Sequence, residues 1–209
     1  MLRFNKPCEA EDFRDPELLA VIRDMYPAEA AALGPSWPAG REMRKQWEVA
    51  MAVLAMRTHG VLHGDAAVLG VGAGKEQTVF YLTNYVRWVF ATDMYAAPGL
   101  WRRTAPPEML VDPVRAATLP FNPRRLVTQH MDGRDLRYEE ATFDAIFSSS
   151  SIEHFGSWDA VVEASREMGR VLKPGGLLTL STELRLAGPG KGPTTTVLTF
   201  SPEEICRLV

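Results

Sequence analysis

Cysteine is nearly absent from this chain, with Cys8 and Cys206 the only two among 209 residues. They lie far apart, with no histidine or second cysteine at ligand spacing, so neither a disulfide framework nor a zinc site is indicated. Such usage fits a reducing cytoplasm. Long apolar runs are missing too. Nothing approaches the roughly 20 consecutive apolar residues of a membrane span, and the first eight residues have no apolar core followed by small residues. The expectation is a soluble, cytoplasmic, untargeted protein with no membrane partner. A basic excess is also lacking: 23 Lys and Arg face 26 Asp and Glu, for a net charge of -3 and a pI near 5.9. That balance offers no electrostatic footprint for a polyanion, so nucleic acid is not an expected partner. The local pairs Arg102-Arg103 and Arg124-Arg125 read as solvated loop charge with no assigned role.

What is present is enough apolar residue, 46% of the chain, for one sizeable core. Residues 1–40 are broken by Pro7, Pro16, Pro27, Pro35 and Pro38, with one short helix opened by Asp15-Pro16 and closed by Tyr26-Pro27. They form an arm or lid ahead of a single domain over residues 41–209. From Arg41 to His59, apolar residues recur at helical spacing, and Gly60 stands where the helix stops. Trp47 on this helix reads as core, and Glu48 as a candidate for a pocket mouth. Short apolar runs follow at 66–71, 86–91, 125–129, 143–147 and 177–181, with helical patterns at 76–85 and 157–171. This alternation predicts an α/β fold, a doubly wound and mostly parallel sheet whose ligand site lies at the carboxyl ends of the strands.

The chemistry is therefore expected at the strand ends. The first strand runs into Gly70-Val71-Gly72-Ala73-Gly74-Lys75-Glu76. Such a turn lets a ligand press on backbone at the start of the next helix. A dinucleotide fingerprint would put its last glycine at Lys75 or Gln77, and a phosphate-binding P-loop would need glycine at Leu69 and Ser or Thr at Glu76. Both fail on spacing. An acid at Glu76 also repels phosphate while tolerating a cationic sulfonium. The second strand ends at Asp93, about twenty residues on, where a ribose clamp sits. The third reaches Asp132-Gly133, and the fourth reaches Ser148 to Ser151 and Ile152-Glu153-His154. Asp144 reads as a turn or capping group, and Lys173-Pro174-Gly175-Gly176 as a turn before the fifth strand.

Six segments carry a resemblance: 68–74 (VLGVGAG), 91–94 (ATDM), 132–136 (DGRDL), 143–148 (FDAIFS), 152–154 (IEH) and 170–176 (RVLKPGG). In that order the chain resembles the class I S-adenosylmethionine (SAM)-dependent methyltransferases of the small-molecule, type 11 kind, from about Arg41 onward. The resemblance implies a Rossmann-like methyltransferase fold with SAM as cofactor. It implies Gly72 and Gly74, with Gly70 and Ala73 in the same turn, against the methionine part. It also implies Asp93 on the ribose, Met94 on the adenine face, Asp132 and Gly133 at the adenine edge, and Ser149 beside the cofactor. The family often has an acid where this chain has Gly70, so the amino end needs water or another group. After the Ser201-Pro202-Glu203-Glu204 helix start the family normally adds a closing strand hairpin, and this sheet is expected to lack it.

If the acceptor is a hydroxyl, His154 is the candidate base, with Glu153 beside it. The four serines at 148–151, where a DNA base-methylating enzyme has a different pattern, turn the expectation toward a small-molecule or sugar-like acceptor. Residues 184–200, rich in Gly, Pro and Thr, are expected to form a lid. Two other readings stay open: a nicotinamide-dependent reductase or epimerase on the same fold, and a SAM-binding module without catalysis that acts through a partner.

Overall fold

The protein is described from a computed structural model, over residues 4–97, 99–186 and 197–208. In chain order the elements are α1 (Pro16–Met25), α2 (Pro27–Leu33), α3 (Arg44–Thr58), β1 (Ala67–Val71), α4 (Gln77–Leu82), β2 (Trp88–Asp93), α5 (Glu108–Val111), β3 (Leu126–His130), β4 (Phe143–Ser149), α6 (Trp158–Val171), β5 (Leu172–Ser181) and α7 (Pro202–Ile205). The five strands form one sheet in the order β3-β2-β1-β4-β5, and every pairing is parallel. Strand order reverses beside β1, so the crossovers leave to opposite sides and open a crevice between the β1 and β4 tips.

Residues alternate across the sheet as the pleat requires. Val68, Val89, Ala145 and Phe147 join one core with α1, α3 and α4. Leu69, Val71 and Ile146 join the other with Val161, Met168 and Val171 of α6 and with Phe200. The α6 stripe begins at a capped end, where Ser157 Oγ accepts from the Ala160 amide at 3.2 Å.

The arm is part of the first core. Asp15 caps α1 by accepting from the amides of Glu17 and Leu18 at 2.9 and 3.0 Å. Leu18, Val21, Ile22 and Met25 are then fully buried against α3, each burial stabilising by roughly 2 kcal/mol. Because α1 covers its outer side, α3 is buried from Gln46 to Met56 rather than along one stripe. Trp47 is core, and its Nε1 donates to Asp12 Oδ2 at 2.8 Å.

Two expectations are corrected, and one element is new. The helix predicted over 76–85 stops at Leu82, because Thr83 Oγ1 donates back to the Phe80 carbonyl at 2.6 Å and accepts from the Asn122 amide at 2.9 Å. The turn at 173–176 is a bulge within β5: Phe143 pairs with Leu172 but Ala145 pairs with Leu177, so the strand absorbs extra residues without losing its direction. The helix α5 between β2 and β3 had no periodic signal. Asp144 behaves as expected, accepting from the Ala67 amide at 2.8 Å and from Lys173 at 2.7 Å, at the far end of the strands from the crevice. Among the described residues, the pairing beyond β5 is an isolated bridge between Leu184 and Phe200. Most of the expected lid, residues 187–196, lies outside the described residues. No described helix is long and apolar enough to cross a membrane.

Candidate active site

Past β1 the backbone turns through Gly72 and Gly74, both at positive φ, +62° and +50°. A Cβ on Gly74 would fall 2.5 Å from the Thr104 carbonyl oxygen, and one on Gly72 would fall 1.7 Å from Ser151 Oγ. Both positions therefore demand glycine on conformation and on space. The turn is braced from outside: the Ala73 amide donates to Thr92 O at 3.0 Å, the Lys75 amide to Thr104 O at 2.9 Å, and Tyr95 OH to Gly74 O at 2.7 Å.

Asp93 at the β2 tip is tied to the same turn. Its Oδ2 accepts from the Gly74 amide at 2.8 Å and its Oδ1 from the Met94 amide at 2.6 Å. Burial pushes its carboxyl above the ordinary value, and the two amides oppose that rise. Beyond β3, Asp132 accepts a fork from Arg134, with Nε at 3.0 and 3.1 Å and Nη2 at 2.6 Å. That bond holds Asp132 below the usual carboxylate range.

At the β4 tip, Ser150 takes a left-handed backbone at φ +51°, a conformation that costs a residue with a Cβ about 1 kcal/mol or more. It aims Ser150 Oγ at Glu48 Oε2, to which it donates at 2.7 Å. Glu48 is buried on α3 and also meets Arg44 Nε at 3.1 Å and Lys45 Nζ at 3.4 Å. Lys45 in turn donates to the Ser149 carbonyl at 3.1 Å and to Glu76 Oε1. The second oxygen of Glu76 is buried with no hydrogen-bond partner. Burial pushes the Glu76 carboxyl up to about 7, against the pull of Lys45.

These groups enclose one crevice of about 520 Å3. Gly72, Ala73, Gly74, Asp93, Met94, Asp132, Gly133, Ser149 and His154 all line it. Gly70 does not: it lies inside β1, where an added Cβ would strike the Phe147 ring at 2.5 Å, so glycine is there for packing. Glu153 does not either. It is 1% exposed on the far side of the turn from His154, where it accepts from Thr182 Oγ1 at 3.0 Å. Its carboxyl is pushed up to about 7 by burial and by the neighbouring Glu183 and Glu48. Glu153, expected beside the catalytic base, is thus not brought into the crevice lining with His154. Glu48, expected at the mouth, stands one layer behind Ser150.

Sequence reasoning gave no role to several lining residues: Arg44, Lys45, Arg103, Thr104, Ala105 and Phe155. Arg103 belongs to a pair dismissed as loop charge. The signal that could have found Lys45 is its spacing from Glu48, one turn apart on a helix next to a ligand-binding sheet.

Residues 69–180 match the family model described as a methyltransferase domain, more than half of the chain. The chain belongs to that family. This methyltransferase domain also resembles solved structures. YcgJ of Bacillus subtilis superposes with a TM-score of 0.55 at 20% identity, over 75% of this chain and 64% of that one. The [4+2]-cyclase SpnF gives 0.57 at 23% identity, over 78% and 57%. The 1,6-didemethyltoxoflavin-N1-methyltransferase of Burkholderia thailandensis, solved with 1,6-didemethyltoxoflavin and S-adenosylhomocysteine bound, gives 0.56 at 20% identity, over 98% and 79%. At these identities the likeness is one of fold, and this chain spans less than two thirds of the length of the first two, 64% and 57%.

The cofactor of class I methyltransferases is SAM, and the crevice of this domain fits it. Gly72 and Gly74 leave a cradle that a Cβ would fill, Asp93 faces the space from a partly buried wall, and Glu76 presents an orphaned carboxylate oxygen suited to a cation.

Proposed function

We propose that the protein transfers the methyl group of SAM to a small, polar acceptor of a metabolite or sugar-like kind. The observation that carries this reading is the convergence of Gly72, Asp93 and Asp132, from three different strand tips, on one crevice of about 520 Å3. That volume suits a cofactor-sized ligand. A carboxylate oxygen has two acceptor sites, and each Asp93 oxygen spends one on an amide, so capacity for both ribose hydroxyls remains. Asp132 and Gly133 take the adenine edge, Met94 packs on its face, and the Gly72–Gly74 backbone receives the methionine part. Ser149 lies beside it.

When bound, SAM supplies a methyl group already activated by a positive sulfur. The protein's task is then to hold the acceptor in line and keep water out. Ser150, Ser151, His154 and Phe155 form the wall at the β4 tip. Three polar side chains and one ring favour a small hydroxylated acceptor over a stacked base. His154 is the group that takes the acceptor's proton, since it lines the crevice at the β4 tip and an imidazole nitrogen can accept one.

Calorimetry with SAM, S-adenosylhomocysteine and NAD tests the cofactor, and labelled methyl transfer to a panel of hydroxylated small molecules tests the reaction. SAM binding with transfer to at least one panel member is the expected result. NAD binding without SAM binding would return the protein to the reductase reading, and SAM binding without any transfer would leave a silent module. The variant His154→Ala should lower turnover about a hundredfold with SAM affinity unchanged; equal loss of both would reject the base role.

A further inference from the structure

His154 is carried on a short support. The 3-10 turn Ile152–His154 is closed by the His154 amide on the Ser151 carbonyl at 2.9 Å and by the Phe155 amide on the Ile152 carbonyl at 3.2 Å. Gly156 follows at φ +92°. A 3-10 turn has poor hydrogen-bond geometry, so one this short takes its orientation from what it packs against. Ile152 anchors it in the α6 core, but an apolar contact is non-directional and leaves rotation open. Glu153 adds two directional bonds: its side chain accepts from Thr182 Oγ1 at 3.0 Å and its carbonyl from the Leu198 amide at 2.8 Å. Thr182 is itself braced on both sides. Before it, Ser181 pairs with Ser149 at the end of β5, and its carbonyl accepts from the Ser150 amide at 2.9 Å. After it, Glu183 holds Arg44 of α3, and its carbonyl accepts from the Phe200 amide at 2.9 Å.

We propose that Glu153 is a positioning residue, which by holding Thr182 fixes the 3-10 turn so that His154 faces the crevice. The inference rests on the reading of His154 as the base and names what aims it. Ile152 and Glu153 are both buried; the first gives the turn its depth and the second its angle. A satisfied buried polar contact specifies one arrangement where apolar packing admits several. Aim matters at this place, because a shift of about 1 Å in a reacting group can cost on the order of a hundredfold in rate. The task needs an acceptor and not a charge, so a glutamine, whose side-chain oxygen also accepts, serves in place of the acid.

His59, His63, His130 and His154 are the four histidines of the chain, so NMR of the imidazole C–H signals gives a readout that needs no acceptor or cofactor. The signal missing from His154→Ala assigns the ring. Thr182→Val and Glu153→Leu should each shift and broaden the His154 signal and leave the other three in place, while Glu153→Gln keeps all four at their wild-type positions. With a panel member that accepts the methyl group, Thr182→Val should lower kcat about tenfold and leave KM for SAM within about twofold. An unmoved His154 signal in Thr182→Val overturns the proposal. So does a shift of all four signals together, which would mean general loosening, or a Glu153→Gln spectrum like that of Glu153→Leu. A moved His154 signal with unchanged kcat would uphold the positioning and reject His154 as the base. If Glu153→Leu does not fold, Thr182→Val gives the decision.

Discussion

On the β2–β3 flank of the crevice, Asp93 and Asp132 have their oxygens engaged, by the amides of Gly74 and Met94 and by the fork of Arg134. On the α3–β4 flank, Glu76 keeps an oxygen without a partner, and both Glu76 and Glu153 are pushed up to about 7 by burial. The first flank is organised before any ligand arrives, and its polar groups need no rearrangement to accept one. The second holds carboxyls that burial pushes toward their protonated form, Glu76 in the crevice lining and Glu153 outside it. The two flanks thus differ in how far amide and guanidinium donors offset the burial of their acids.

The difference can be tested by breaking each flank in turn. Asp93→Ala removes a partly buried acceptor and should weaken S-adenosylhomocysteine about 100-fold by calorimetry, the value of one or two charge-assisted hydrogen bonds. A loss under threefold would mean that the β2 tip does not organise the site. Gly74→Ala forces a Cβ to 2.5 Å from the Thr104 carbonyl at a positive φ, and should cost about 2 kcal/mol, or about 6 °C in Tm. An unchanged Tm would show that the segment around Thr104 yields instead of bracing the turn.

Glu153→Gln sharpens the other side. A carboxyl raised from 4.5 to about 7 in the folded protein keeps its proton across that window, while the unfolded chain has already lost it. Stability from this group is thus lost as pH rises from 4.5 through 7. The variant should melt on the order of 3 °C higher than wild type at pH 8 and equally at pH 4; a lower Tm at pH 8 would mean that the Glu153 charge is stabilising where it lies. The smallest effect belongs to Asp132→Ala. Asp132 is one-third exposed and its partner Arg134 nearly half, and pairs so exposed contribute about 0–1 kcal/mol. The expected change in S-adenosylhomocysteine affinity is about threefold, and a loss as large as that of Asp93→Ala would erase the distinction between the two acids.

The strand tips could be read in advance because their signals are local. Gly72, Gly74, Asp93, Asp132 and Gly133 each sit within four residues of the end of a β-type apolar run, so their place in the crevice follows from where the run stops. Gly70 misled for the same reason: it lies one residue short of the end of β1, and that single step turns its Cα into the sheet against Phe147. His154 and Glu153 are neighbours in sequence, and only the 3-10 turn at Ile152–His154 sends one to the crevice and the other into the core.

What the sequence by itself determined is the alternation of strand and helix, the parallel sheet that follows, and the glycine turn with its spaced acids. These depend on residues close together in the chain, where backbone conformation and hydrophobic period carry the information. Only the tertiary structure decided that α1 buries the outer face of α3, that Thr104 braces the glycine turn, and that Lys45 meets both Glu76 and Ser149. Those contacts join positions far apart in the sequence, and their charges became informative only once packing removed water from around them.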